Sequence, residues 1–239
     1  MAEQTAQDIL QVENIHTFIG QFHILEGVSV TVPAGSITVL LGRNGAGKTT
    51  TLKSILGITP PSQGRILFAG DSVVGQRSFQ ISRRGIGYVP EHRAIFHDLT
   101  VAENLHIAER QKDDFARHED LIFRLFPDLK RFYDLRAGNL SGGQQQMLAV
   151  ARALVPDNRL LLIDEPSEGL APVIIEQLIE AIQSLSAHTT VLLVEQNFRV
   201  ASRLADRFVI IEEGQSVHSG RMADLVGDSE LIQRYLGAA

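Results

Sequence analysis

The sequence predicts an α/β fold with a doubly wound parallel sheet at its centre. Four runs, Ile37–Leu41, Leu160–Ile163, Val191–Val194 and Phe208–Ile211, are continuously apolar, as suits strands covered on both faces by helices. Val28–Val32 instead alternates apolar and polar residues before Pro33-Ala34-Gly35, the pattern of a half-exposed antiparallel strand. Between about Thr100 and Leu154 strand signals give way to helical ones.

Taken in order, the first part reads as short strands with turns, Gly64–Gly70 being a second strand candidate bounded by glycines. A helical pattern runs from Thr49 to Leu56. The later helical stretch opens with a capping box, Thr100-Val-Ala-Glu103, and continues through the charged run Glu109–Asp114, read as a solvated helix face. This divides the chain into a core with a β subdomain, about 1–91 and 155–239, and an inserted helical subdomain, about 92–154. No repeat or low-complexity linker interrupts it.

Composition limits the possible partners. With 239 residues, 44% hydrophobic and 21% charged, the chain has the profile of one folded unit. The net charge of −6 offers no broad field for nucleic acid or an anionic bilayer, so any phosphate chemistry must be local. Without cysteine there is no disulfide and no cysteine-based zinc site. The start, Met1–Asp8, lacks the basic and apolar regions of a secretory signal. The apolar runs fall far short of the roughly 20 residues of a spanning helix, so membrane work would need another chain to supply the span.

Three motifs carry chemistry. Gly42-Arg43-Asn44-Gly45-Ala46-Gly47-Lys48-Thr49 matches G-x-x-x-x-G-K-[ST] after a strand and before a helix. Its glycines let backbone N–H groups turn inward as an anion nest facing the positive end of the next helix. Lys48 would reach β- and γ-phosphates, and Thr49 would ligate Mg²⁺; a glycine-rich turn with an exposed lysine is the plain alternative. Asp164 and Glu165 follow an apolar strand, at the kind of strand end where ligands bind in parallel sheets. Asp164 can hold Mg²⁺ through water, and Glu165 can orient or deprotonate an attacking water. Alone, such a pair would be read as a solvated turn. Leu140-Ser141-Gly142-Gly143-Gln144 contains a capping box that explains a well-made helix start. Its glycines also bare the first helical turn as a second anion site, which the chain's own glycine loop does not need.

In this order the motifs resemble the nucleotide-binding domain of ABC proteins over nearly the whole chain. The resemblance implies a P-loop NTPase (RecA-like) core that binds and hydrolyses ATP with Mg²⁺. It also implies head-to-tail dimerisation, with the 141–144 segment of one protomer capping ATP held by residues 42–50, including Thr50, of the other. Tyr88–Phe96, Ser167–Pro172 and Leu193–Asn197 further resemble the smaller ATPase subunit of branched-chain amino acid importers. Close relatives energise uptake of urea, amides or other amino acids. The implied partners are integral membrane transporter subunits, a second ATPase subunit (an identical copy or a larger sister) and, indirectly, a solute-binding protein. The implied place is the cytoplasmic face of the inner membrane, as a peripheral subunit.

Three positions depart from the general ABC pattern, and the branched-chain group shares them. Glu91 stands at the usual glutamine, near water and Mg²⁺; Gln196 replaces the usual histidine; Ala171 ends a loop that normally ends in aspartate. For the adenine-stacking aromatic the chain offers Phe18, with Ile19 at the family position and Phe22 nearby. The segment Ala94-Ile95-Phe96 is expected to be exposed where a membrane subunit docks. Non-transport ABC ATPases acting on DNA or ribosomes usually carry coiled coils, fused cassettes or basic faces, which this sequence lacks. A P-loop kinase or GTPase would not need residues 141–144.

Overall fold

A computed structural model describes residues 7–237. Residues 1–6, most of the stretch read for a secretory signal, lie outside it. In chain order the elements are β1 (Asp8–Ile19), β2 (Phe22–Pro33), β3 (Ile37–Leu41), α1 (Lys48–Ile55), β4 (Gln63–Phe68), β5 (Asp71–Ser72), α2 (Ser78–Arg83) and β6 (Ile86–Val89). Helices α3 (Val101–His106), α4 (Asp114–Leu125), α5 (Pro127–Arg131) and α6 (Gly142–Leu154) follow. The chain then alternates β7 (Leu160–Asp164), α7 (Pro172–Ser186), β8 (Thr190–Val194), α8 (Phe198–Leu204), β9 (Arg207–Glu212) and β10 (Gln215–Arg221), and closes with α9 (Met222–Val226) and α10 (Ser229–Leu236).

The central sheet has the order β10-β9-β3-β8-β7-β6 and is parallel except for β10. Its four apolar strands are those expected. Side chains alternate between two cores: Val39, Leu41, Leu161, Ile163, Val191 and Leu193 face the helices α6 to α8, while Leu40, Leu160, Leu162, Leu192 and Val194 face α1 and the second sheet. The second sheet is antiparallel, in the order β2-β1-β4-β5, and holds both predicted half-exposed strands.

The strands β1, β6 and β10 were not visible as sequence patterns. In β1 the alternation slips at Asn14, whose φ is +47°: Val12 pairs with Val30 but Ile15 with Val28, so one extra residue bulges out and shifts the buried face. β6 is short and contains Gly87, where a Cβ would come within 2.5 Å of the Asn158 side chain. β10 is a polar edge strand with only one neighbour, so it needs no continuous apolar run.

The charged run 109–114 departs from its reading. Rather than a helix face it is a turn between α3 and α4, exposed at Gln111, Lys112 and Asp113 but folded around the buried first residue of α4, Asp114. Asp114 is 2% exposed; its Oδ2 accepts from the N–H groups of Arg110 and Gln111, both at 2.8 Å, and its Oδ1 pairs with Arg117. Arg110 donates to the Ile86 carbonyl at 3.3 Å and to Asn158 Oδ1 at 2.9 Å, tying the helical segment to β6 and to the approach to β7. Mixed charges suggested solvent because a sequence does not show that backbone donors of the same turn converge on one carboxylate.

Burial pushes the Asp114 carboxyl up, but the two backbone donors and Arg117 outweigh it and hold it below the ordinary aspartate value. A depressed folded-state value stabilises the fold above the unfolded-state value, and that stability is lost as pH falls through the folded one. Asp114→Ala should therefore cost about 2–4 kcal/mol at neutral pH. The difference in urea midpoint from the parent should shrink as pH drops below about 4.

Candidate nucleotide site

The site forms where β3, β7 and β8 end together. The glycine loop leaves β3 through Gly42 at φ +147°, where an added Cβ would lie 2.1 Å from the Ile211 carbonyl of β9. Gly47, at φ +108°, precedes α1, and a Cβ there would meet Leu25 of β2 at 2.7 Å. The loop is thus pressed between two strands that leave no room for side chains. It is also braced from behind: Gly214 N–H donates to the Ala46 carbonyl at 3.0 Å, and the Gly214 carbonyl accepts from Glu26 N–H at 2.7 Å. Arg43, Asn44 and Gly45 form the exposed crest, where Arg43 donates to the Arg234 carbonyl of α10 at 3.3 Å.

Lys48 is 4% exposed, and its Nζ donates to the carbonyls of Gly42 at 3.0 Å and Arg43 at 3.2 Å while pairing with Glu165 Oε1 at 3.2 Å. Thr49 Oγ1 donates to Asp164 Oδ1 at 3.0 Å. An open cleft of about 410 Å³ runs along Gly45, Lys48, Thr49, Thr50, Glu91 and Glu165. Residues far apart in sequence therefore meet here: 42–50, Glu91, Asp164 and Glu165.

Asp164 is fully buried. Burial pushes its carboxyl above the ordinary range, the charges of Glu165 and Glu91 act the same way, and hydrogen bonds from Thr49 and Tyr88 oppose them. Tyr88 donates to Asp164 Oδ2 at 3.3 Å, and its own hydroxyl is pushed up mainly by burial and then by Asp164. The tyrosine's part was missed because it depends on the pairing of β6 with β7, which sets Tyr88 opposite Leu162.

Hydroxyl and carboxylate oxygens are hard donors that suit Mg²⁺, which is usually held by one or two carboxylates plus substrate phosphates.

Gln196 is exposed just beyond β8, with its N–H donating to Glu195 Oε1 at 3.0 Å. Phe18 is 44% exposed and stacks flat on His23, with ring centroids 4.2 Å apart; Ile19 and Ile24, rather than Phe18, line the cleft. Ala171 precedes α7 without a side-chain cap.

The 141–144 segment is not part of this cleft. Ser141 Oγ accepts from Gln144 N–H at 3.3 Å, and Gln144 Oε1 accepts from Ser141 N–H at 3.0 Å, closing the capping box at the start of α6. Ser141 and Gly142 are exposed, whereas a Cβ on Gly143 would sit 2.8 Å from Ile174 of α7. Gly143 is therefore required by packing as well as by an open helix end. Arg93 spans the gap, lying 3.3 Å from where a Cβ on Gly142 would be and donating to Gln145 Oε1 at 3.4 Å.

The segment expected to meet a membrane subunit is exposed only in part: Ala94 and Phe96 face out, but Ile95 is buried at 8% exposure. Asn104 fixes the turn by bonding both the N–H and the carbonyl of Phe96, each at 2.9 Å, and this directs Ile95 inward. The Phe96 ring lies 4.9 Å from the Arg152 guanidinium.

Comparison with known proteins agrees with this geometry. Residues 25–168 match the family described as ABC transporter. The chain is 44% identical to the high-affinity branched-chain amino acid transport ATP-binding protein BraG of Pseudomonas aeruginosa, over 96% of this chain and 100% of that one. It is 34% identical to a probable branched-chain amino acid transport ATP-binding protein, LivF, of Archaeoglobus fulgidus, over 96% and 99%. A crystal structure of the ADP conformation of an ATP-binding cassette of an ABC transporter superposes with a TM-score of 0.84 at 26% identity, covering 97% of this chain and 100% of that one. With the glycine loop, the paired carboxylates and the Leu140–Gln144 helix start each in place, the chain belongs to the ABC transporter family of ATP-binding cassettes.

Proposed function

We propose that this ATPase drives uptake of branched-chain amino acids through partner membrane subunits, working as a dimer at the cytoplasmic membrane face. The observation that carries the mechanism is the split between an open cleft lined by Lys48, Thr49 and Glu165, with Asp164 bonded to Thr49 behind it, and an exposed capped helix start at 141–144 outside it. The substrate class rests on whole-length similarity to a branched-chain amino acid transport ATP-binding protein.

In this reading Gly42 to Gly47 cradle the phosphates with backbone N–H groups and Lys48 neutralises them. Thr49 and Asp164 would hold Mg²⁺, with Glu91 alongside; the ion supplies charge neutralisation on the phosphates when bound. Glu165 takes the proton of the attacking water, and Gln196 orients the γ-phosphate and Glu165 through neutral hydrogen bonds. Ser141 to Gln144 of a second ATPase subunit, whether an identical copy or a larger sister, complete each site. Residues 1–91 and 155–239 then act as the nucleotide-binding core, and 92–154 as the helical arm that carries the signature. Phe18 remains the candidate for adenine stacking after a turn of its ring away from His23.

No described helix is long and apolar enough to cross a membrane, so docking falls to a surface. A groove of about 520 Å³ lined by Ile58, Phe79, Ala94, Ile107 and Arg152 fits a short amphipathic helix of a membrane subunit.

Lys48→Ala should lose ATP binding or turnover, read by nucleotide titration and phosphate release; normal turnover would refute the site. Phe96→Asp should keep nucleotide affinity yet abolish transport in reconstituted vesicles, and surviving transport would place docking elsewhere. Glu165→Gln should bind nucleotide while hydrolysis drops roughly a hundredfold or more. Gln196→Ala should be milder, since each hydrogen bond contributes on the order of 1 kcal/mol. Turnover of the parent should lack an acid limb near pH 6.5, and Gln196→His should introduce one. Identical pH profiles and rates would show that position 196 does not touch the chemistry.

A further inference from the structure

We infer that Glu195 is a positioning residue for hydrolysis: its buried carboxylate joins the turn that presents Gln196 to the turn that follows Glu165, setting both against the phosphate cleft. This inference rests on the ATPase reading above.

Glu195 is 2% exposed and its three partners are all uncharged donors. Oε1 accepts from the N–H groups of Gln196 and Asn197, both at 3.0 Å, while Oε2 accepts from Ser167 Oγ at 2.8 Å. Its own N–H donates to the Leu40 carbonyl at 3.2 Å, extending the β3–β8 ladder one residue toward the glycine loop. A carboxylate buried with no cation is costly, and burial does push Glu195 above the ordinary glutamate range. The arrangement gives that cost a purpose. One side chain gathers the first two free N–H groups beyond β8, so the chain turns sharply into α8 and leaves the Gln196 side chain exposed.

The other oxygen acts on the opposite turn. Glu165 has φ +43°, a left-handed conformation that a glutamate keeps only when its surroundings over-determine it. Those surroundings are the Val194 carbonyl, which accepts from Glu165 N–H at 3.0 Å, the Lys48 ion pair at 3.2 Å, and Ser167 held by Glu195 two residues on. Replacement of Lys48's carboxylate partner by phosphate would leave the Ser167–Glu195 bond as a remaining tether on that turn.

The test measures steady-state ATP hydrolysis and binding of a non-hydrolysable ATP analogue for the full chain carrying Glu195→Ala, Glu195→Gln or Ser167→Ala. Glu195→Ala should lower kcat on the order of 10- to 100-fold, the scale of a lost alignment, with analogue affinity held within about threefold. Glu195→Gln should recover most of that loss, because an amide oxygen still accepts from two N–H groups and its NH₂ can donate to Ser167. Combining Glu195→Ala with Gln196→Ala should cost less than the product of the single effects, since one acts through the other.

Full turnover in Glu195→Ala would overturn the inference. Equal losses in Glu195→Gln and Glu195→Ala would overturn it too, by showing that the charge rather than the acceptor geometry matters. If Glu195→Ala lowers the thermal midpoint and the analogue affinity together, Ser167→Ala decides: slowed turnover at kept affinity supports the tether, and unchanged turnover refutes it. Lys48→Ala and Glu165→Gln run alongside separate the two readings. Parent-like hydrolysis in both would overturn the ATPase site, and this inference with it, whereas loss in both with full turnover in Glu195→Ala overturns this inference alone.

Discussion

The site depends on a backbone ladder that continues one residue past the strands it joins. Glu195 N–H bonds the Leu40 carbonyl and Glu165 N–H bonds the Val194 carbonyl, so β3, β8 and β7 deliver their last residues at one level. From that level the glycine loop, the Asp164–Glu165 pair and the Glu195–Gln196 turn leave side by side. A slip of one residue in any of the three would reverse inward and outward faces and send Asp164 into the wrong core. Continuous apolar strands tolerate no such slip, because both faces are buried and alternate between two different sets of neighbours.

Around this edge the electrostatics are concentrated and local. The chain is acidic overall, yet the cleft sets one buried lysine against Glu165 and a helix N-terminus behind it. Burial raises Asp164 and Glu195, so two carboxylates are held where their charged forms are penalised and where a cation or a set of donors must compensate. Asp164 has Thr49 and Tyr88 as donors and fits a metal. Glu195 has only uncharged donors, two N–H groups of its own turn and Ser167 of the opposite one, which separates a ligand-facing role from a scaffold-facing one.

The helical segment is attached to this core through polar contacts as well as packing. Arg110 reaches the β6 carbonyl and Asn158, Arg93 reaches α6, and Arg152 donates to the Ala94 carbonyl at 2.6 Å while facing the Phe96 ring. The segment 91–96 therefore touches the cleft at one end, through Glu91, and α6 and the groove lined by Ala94 and Arg152 at the other. Arg93 and Ala94 both take positive φ, at +61° and +50°, so this link is bent rather than regular.

Sequence alone determined the parallel core, the glycine loop and the two capping boxes, because each is a local pattern: an apolar run, glycines at fixed spacing, a serine or threonine three residues before a glutamate or glutamine. It also named Lys48, Thr49, Asp164, Glu165 and the 141–144 segment by residue type and order. Tertiary structure decided what depends on neighbours distant in sequence. The Asn14 bulge hid β1, and a single-neighbour edge position let β10 be polar. Converging backbone donors turned a charge run into a buried knot at Asp114, and Asn104 turned Ile95 inward. Tyr88, Ser167 and Glu195 joined the site only through strand pairing and turn contacts. Their chemistry lies in which donor reaches which oxygen, and that is fixed by register and burial rather than by any spacing along the chain.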